Sequence, residues 1–482
     1  MRISTIQQVL GLLLMLFSLA MLPASAIALF SRDQTLGPFL LSFGLILGIG
    51  LLLWWPVRRA RLDLRLRDGF AIVALFWIGL GLTGALPLML SPRPHMPLAA
   101  AVFESVSALT TTGATVLTVI DGLPASILFY RAQLQWMGGM GIIVLAVAVL
   151  PMLGIGGMQL YRAETPGPMK DTKLTPRLAE TAKALWRIYL LLTLACILAY
   201  WAGGMGLFDA ICHAFTTVST GGMSNHEASF AWFDSPLLES IAVLFMFLGG
   251  VNFSLHFLAL RGGGIGTYRR DAEFRAYLGF YVLVFLLVAF YLTVLHAYEP
   301  LLALRESLFQ VVSVGTSTGF TTANFAEWPG FAPVLLIFIS FVGGCAGSTA
   351  GGMKMIRVLL LYLQGKREVL RLIHPNAVLP VKLGGEAVPG RIVESVWGFF
   401  AAYVATFAVA MLALMALGED QVTAFSAVAA CINNLGPGLG QVSTDFQAIP
   451  DPGKWLLALT MIMGRLEIFT LLVLISPAYW RS

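Results

Sequence analysis

Apolar stretches long enough to cross a bilayer recur ten times along the chain, at residues 8–30, 38–56, 69–90, 129–152, 183–204, 235–260, 276–297, 333–362, 392–417 and 454–477. Runs of this length with few charges predict membrane helices, because the hydrocarbon core is about 30 Å thick and a backbone in lipid must satisfy its own hydrogen bonds. Four shorter apolar segments lie between paired spans, at 99–110, 209–218, 303–316 and 421–433. Too short to cross, they predict re-entrant helices, tolerated at membrane depth only where protein or a water-filled cavity surrounds them.

A short peptide follows each of these four segments: Thr111-Thr112-Gly113-Ala114, Ser219-Thr220-Gly221-Gly222, Ser317-Thr318-Gly319-Phe320 and Asn434-Leu435-Gly436-Pro437. Taking Gly113, Gly221, Gly319 and Gly436 as the central glycines, the copies lie 108, 98 and 117 residues apart. The pattern predicts an all-α polytopic membrane protein, a two-span prefix (1–68) followed by four span–short helix–loop–span units around one pore. The units are 69–158, 159–262, 263–390 and 391–482. Glycine at a fixed point permits a backbone twist that a Cβ resists. Four such twists about one axis turn carbonyl oxygens inward, as in a potassium-channel filter that replaces the ion's water shell. The short helices end at the filter, where their negative dipole ends favour a cation, and Thr and Ser hydroxyls add hard oxygen ligands. No carboxylate occurs in the four copies, which argues against a divalent-cation ring. Small residues also mark tight helix crossings, but that reading explains one copy, not four at matching positions.

Composition agrees with the medium: 58% of the 482 residues are apolar and 11% charged, with mean hydropathy +0.83. Of the 30 Lys and Arg residues, 23 fall in loops on one side, concentrated in 57–68, 159–187, 261–275 and 357–391. Positive charge accumulates on the cytoplasmic side, so both termini are predicted to be cytoplasmic. The net charge of +5 follows from topology and needs no nucleic-acid partner. Arg2, the run Val9 to Pro23 and Ala24-Ser25-Ala26 imitate a cleaved secretory leader; the apolar stretch continues to Phe30, long enough to span, which favours retention. Cys196, Cys212, Cys345 and Cys431 have no paired spacing and read as buried thiols. The six histidines are equally dispersed.

The filter set, the run Gly343 to Lys354 and Gly464-Arg465-Leu466-Glu467 resemble the TrkH branch of the Trk/Ktr/HKT superfamily of potassium transporters. The likeness covers essentially the whole chain, including the two extra N-terminal spans. It implies potassium uptake across a bacterial inner membrane with no organic cofactor, by a homodimer in which each subunit has its own pore. It also implies a cytosolic TrkA-like nucleotide-binding ring as regulatory partner. By this resemblance the filter positions are Thr111, Thr112, Gly113, Thr220, Gly221, Thr318, Gly319, Leu435 and Gly436. Asn434-Leu435 in place of a hydroxyl pair departs from the pattern and keeps a less selective K⁺/Na⁺ transporter open.

Segment 343–354 holds five glycines and two alanines, a poor continuous helix or else a glycine-lined crossing. The resemblance makes it an intramembrane gate beneath the filter, with Gly343, Gly344, Gly347, Ser348, Thr349, Gly351, Gly352 and Lys354 as its gating residues. Arg465 and Glu467 join them from the last span. A charge deep in a span is by default functional and faces a cavity, so Arg465 is read as an electrostatic barrier, with Glu467 pairing to Lys354 or either serving only as a neutralising partner. Polar stretches 159–183 and 364–391 are the docking surfaces on the cytoplasmic face, or else simply solvated basic loops. The repeat is four-fold and same-direction, unlike the inverted halves of a secondary carrier. Asn252, Ser254 and His256 are the nearest approach to a catalytic set and lack a matched partner, so no enzyme is predicted. Proton-coupled symport stands as the alternative to channel-like flow.

Overall fold

A computed structural model describes residues 3–59, 66–152, 178–377 and 379–480, with the backbone alone at 66–67, 140–152 and 178–182. Loop segments 60–65 and 153–177, which hold part of the predicted basic face and of the docking surface, lie outside the described residues. Each of the ten predicted spans contains helix, unbroken in some and interrupted in others, and all four short segments form separate helices. The prefix helices Ile3–Ser18 and Leu36–Trp54 pack closely: a Cβ on Gly11 would lie 2.7 Å from the Gly50 carbonyl oxygen.

The four short helices are Leu98–Leu109, Leu207–Val218, Pro300–Gly315 and Gln421–Ile432. Three of them have twelve residues and rise only about 18 Å, and the sixteen residues of Pro300–Gly315 rise about 24 Å, all less than the hydrocarbon thickness. Protein surrounds them instead; Ala99 to Leu109 are buried without exception. Large apolar side chains left exposed, such as Leu283, Phe290 and Leu412, stand on the long outer helices, as expected where lipid is the solvent.

Three of the four predicted units break their second span. In the second unit Pro236–Gly249 and Phe253–Gly263 meet at 97°, and in the fourth Asp451–Arg465 and Phe469–Ile475 meet at 115°. Neither bend follows from hydropathy, and the continuous spans predicted at 235–260 and 454–477 are corrected accordingly. In the third unit Ala332–Val342 and Met355–Ile373 are separated by the non-helical stretch 343–354. Local chemistry accounts for the second-unit bend. Asn252 caps the next helix, its Oδ1 accepting from Ser254 N at 2.9 Å, and His256 Nε2 donates to Leu248 O at 3.0 Å. The residues nearest to a catalytic set are therefore fasteners of a broken helix. In the fourth unit Glu467 and Ile468 adopt φ of 55° and 59°, a conformation a β-branched residue keeps only when tertiary contacts impose it. A small hairpin pairs Lys382–Leu383 with Glu386–Ala387 through Gly384-Gly385.

Candidate ion filter and intramembrane loop

Each short helix ends in one residue of left-handed backbone: Thr111, Thr220, Ser317 or Asn434. A glycine two residues later again has positive φ: Gly113 (82°), Gly222 (72°), Gly319 (84°) and Gly436 (100°). The intervening amide turns back in the same way each time, from Thr112 to Ser107 O, Gly221 to Thr216 O, Thr318 to Ser313 O and Leu435 to Ala430 O, all at 2.8 Å. This alignment corrects the second copy: Gly222 holds the twist, and Gly221 stands where the other strands have Thr112, Thr318 and Leu435. Spacing alone favoured Gly221, because two glycines stand side by side.

These glycines close a cycle. A Cβ on Gly113 would lie 2.2 Å from Gly221 O, on Gly222 1.8 Å from Thr318 O, on Gly319 2.1 Å from Leu435 O, and on Gly436 2.8 Å from Thr112 O. Each strand thus sets its glycine Cα against a carbonyl of the next, and the fourth returns to the first. All four glycines line one open cavity of about 290 Å³. The hydroxyls have protein partners: Thr112 Oγ1 lies 2.7 Å from Thr110 Oγ1 and accepts from Asn434 Nδ2 at 3.0 Å, while Thr318 Oγ1 lies 2.8 Å from Thr316 Oγ1. They tie the strands to the helix ends.

Directly against this ring lies the stretch 343–354. Gly351 N donates to Ser317 Oγ at 2.5 Å, Gly352 N to Asn433 O at 3.1 Å, and Thr349 Oγ1 to Val218 O at 3.0 Å. Those acceptors sit at the ends of the third, fourth and second short helices. The second-unit bend is fastened to the same loop, since Thr349 N donates to Gly249 O and Cys345 N to Gly250 O. Gly343 (φ 68°) meets the other end of the loop, where a Cβ would lie 2.1 Å from Gly351 O.

A model of the TrkH family, described as cation transport protein, matches residues 39–482. The chain belongs to the TrkH family. It is 55% identical over 485 residues to the Trk system potassium uptake protein TrkH of Vibrio parahaemolyticus, covering 100% of both chains. The protein of that name in Escherichia coli K12 is 52% identical over 483 residues, also with 100% of both covered. The E. coli K12 potassium uptake protein TrkG is 43% identical over 472 residues, 98% of this chain and 97% of that one. The fold matches the crystal structure of the potassium transporter TrkH from V. parahaemolyticus with a TM-score of 0.91 at 52% identity, covering 100% of both chains.

In this TrkH-family chain Arg465 closes the last turn of its helix and is buried. Its Nη1 donates to Thr349 O at 3.0 Å and its Nη2 to Gly138 O at 2.9 Å. Gly138 itself abuts the end of the first short helix, where a Cβ would lie 1.8 Å from Leu109 O. One guanidinium therefore ties the loop to the first unit. Glu467 pairs with Arg357, not with Lys354 as expected; Lys354 Nζ donates to Ala350 O within the loop. Arg357 also donates to Met353 O at 3.1 Å and lies 4.1 Å over the Phe399 ring.

Sequence reading missed a set of braces nine residues before the positive-φ glycines. Glu104 accepts from Thr115 Oγ1 (3.0 Å), His213 bonds Ser224 Oγ (2.9 Å), and Gln310 donates to Ala323 O (3.0 Å). Each holds the turn that leaves the ring; Ala427 leaves the fourth strand without this brace. Glu104 is fully buried and paired with Arg131 at 2.8 Å. The available signal was a carboxylate inside an apolar helix, which demands a partner.

Proposed function

We propose that this chain carries K⁺ through a single pore whose narrowest part is the carbonyl ring of Thr112, Gly221, Thr318 and Leu435. The observation that carries the reading is the closed cycle of glycines and carbonyls opening on one cavity. Carbonyl oxygens arranged in a ring replace an alkali cation's hydration shell, and the relatives named potassium uptake proteins match over the full length. Four repeat units, 69–158, 159–262, 263–390 and 391–482, then supply one strand each behind the two-span prefix. The loop 343–354 is the gate: it bonds to the ends of three of the short helices and is rich in glycine. Arg465 and Lys354 place positive charge beside it. The working unit is a homodimer in a bacterial inner membrane, both termini cytoplasmic, with a TrkA-like nucleotide-binding ring acting on the cytoplasmic loops.

Flow is channel-like in this reading. Purified protein in liposomes tests it by Rb⁺ and Na⁺ uptake with and without a proton gradient. Rb⁺ uptake exceeding Na⁺ uptake and indifferent to the gradient is expected. Uptake that requires the gradient would establish proton symport instead.

A further inference from the structure

We propose that Gln135 is a specificity-determining positioning residue: it holds the second filter strand in shape and through it sets the discrimination between alkali cations. The inference rests on the filter reading above. Strands one and three are tied to their short helices by threonine, through the hydroxyl contacts Thr112–Thr110 (2.7 Å) and Thr318–Thr316 (2.8 Å). Strand two has Ser219 at the anchor position and, at Gly221, no side chain to reach it. With Gly221 and Gly222 adjacent it is also the strand with the greatest conformational freedom.

Gln135 fills the gap from another unit. Fully buried on helix Ala125–Met152, its Nε2 donates to Gly221 O at 2.6 Å and its Oε1 accepts from Met223 N at 3.1 Å. One amide thereby grips the strand on both sides of Gly222, the glycine with the least room in the ring. The two solutions exclude each other in space: a Cβ on Gly221 would lie 2.4 Å from Gln135 Cδ, and its three nearest atoms all belong to Gln135. Gly221 is not in the left-handed region, so its backbone admits a side chain once that amide is gone. Glutamine from a neighbouring unit and threonine on the strand are alternative braces for the same oxygen. Without either, the Gly221 carbonyl is free to move, and a ring that adapts to the ion discriminates less by size.

Proteoliposome uptake of Rb⁺ and Na⁺ by the full-length protein tests this. Gln135→Leu removes both hydrogen bonds at similar bulk, and the Rb⁺/Na⁺ uptake ratio should fall about fivefold, the equivalent of one ordinary hydrogen bond. Gln135→Glu keeps the shape and the Met223 contact but sets an acceptor against Gly221 O, so the ratio should fall as well. It serves as the second variant should Gln135→Leu reduce the yield of folded protein. The double change Gln135→Ala with Gly221→Thr should bring most of the ratio back, because the new hydroxyl meets Ser219 as in strands one and three. Gly319→Ser is the control for the ring itself. A ratio altered by Gly319→Ser but untouched by both single Gln135 variants overturns the role of Gln135 and leaves the filter standing. A ratio altered by none of them overturns both. Failure of the double change to recover what either single variant loses shows that the amide is not a replaceable brace, and overturns the proposal.

Discussion

Arg465→Ala is the sharpest test of how the loop is held. The guanidinium donates to the loop at Thr349 O and to the first unit at Gly138 O. Hydrogen bonds from a charged donor contribute about 1.5–3 kcal/mol each. In the proposed gate, losing the tether to Thr349 weakens the obstructing position by that amount, about 10–100-fold in the balance between obstructing and cleared loop at 1.4 kcal/mol per tenfold. Rb⁺ flux per folded molecule, with folded protein quantified by gel filtration, should rise correspondingly in the Ala variant. Arg465→Lys separates tether from charge. An ammonium keeps the charge but lacks the planar fork that reaches two carbonyls at once, so flux should rise to an intermediate level. A Lys variant equal to the parent beside a fast Ala variant would refute the tether and leave a purely electrostatic barrier. Unchanged flux in both, with a normal yield, would remove Arg465 from gating altogether.

Gly113→Ser and Gly319→Ser each set a Cβ about 2 Å from a neighbouring carbonyl oxygen and should weaken Rb⁺ over Na⁺ discrimination with the protein still inserted; unchanged uptake ratios in both would falsify the ring. Deleting 345–350 should raise Rb⁺ flux, since the loop ends already meet at Gly343 and Gly351, whereas a loss of folded protein would mark the segment as a packing element. Glu467→Gln leaves Arg357 buried with its pair broken, which should cost about 3 kcal/mol or more in a thermal melt; an unshifted melt refutes the pair's structural weight. Burial raises the Asp33 carboxyl, but hydrogen bonds from Thr35 and Ser126 outweigh it and hold the group below the usual carboxylate range. Its stabilising effect is thus present above the unfolded value near pH 4 and is lost as pH falls through the folded value. Asp33→Asn should melt earlier than the parent at pH 7, with the gap closing below about pH 4; a gap independent of pH would sink the assignment.

Hydropathy located the spans and the short helices because an apolar surround, whether lipid or packed protein, writes a strong one-dimensional signal. It was blind to the bends at Gly249–Asn252 and Arg465–Ile468, where apolar residues flank the break and the backbone is satisfied by tertiary partners. Glycine content did reveal the third-unit interruption, since five glycines in twelve residues cannot hold a helix. The register of the second strand was ambiguous because Gly221 and Gly222 differ only in backbone angle, and that angle is set by contact with another repeat. Pairing was the least legible: Lys354 and Arg357 are three residues apart, and only the turn after the loop decides which of them faces Glu467.

The ring of four strands is drawn from one polypeptide, and this changes how it can vary. In a filter assembled from four identical subunits, any substitution appears four times and acts on every side of the ion at once. In the filter proposed here, a substitution alters one side alone. The chain already carries three different solutions at one level of the ring: a hydroxyl at Thr112 and Thr318, a bare glycine at Gly221, and an aliphatic side chain at Leu435. On that proposal, ion preference can change one strand at a time.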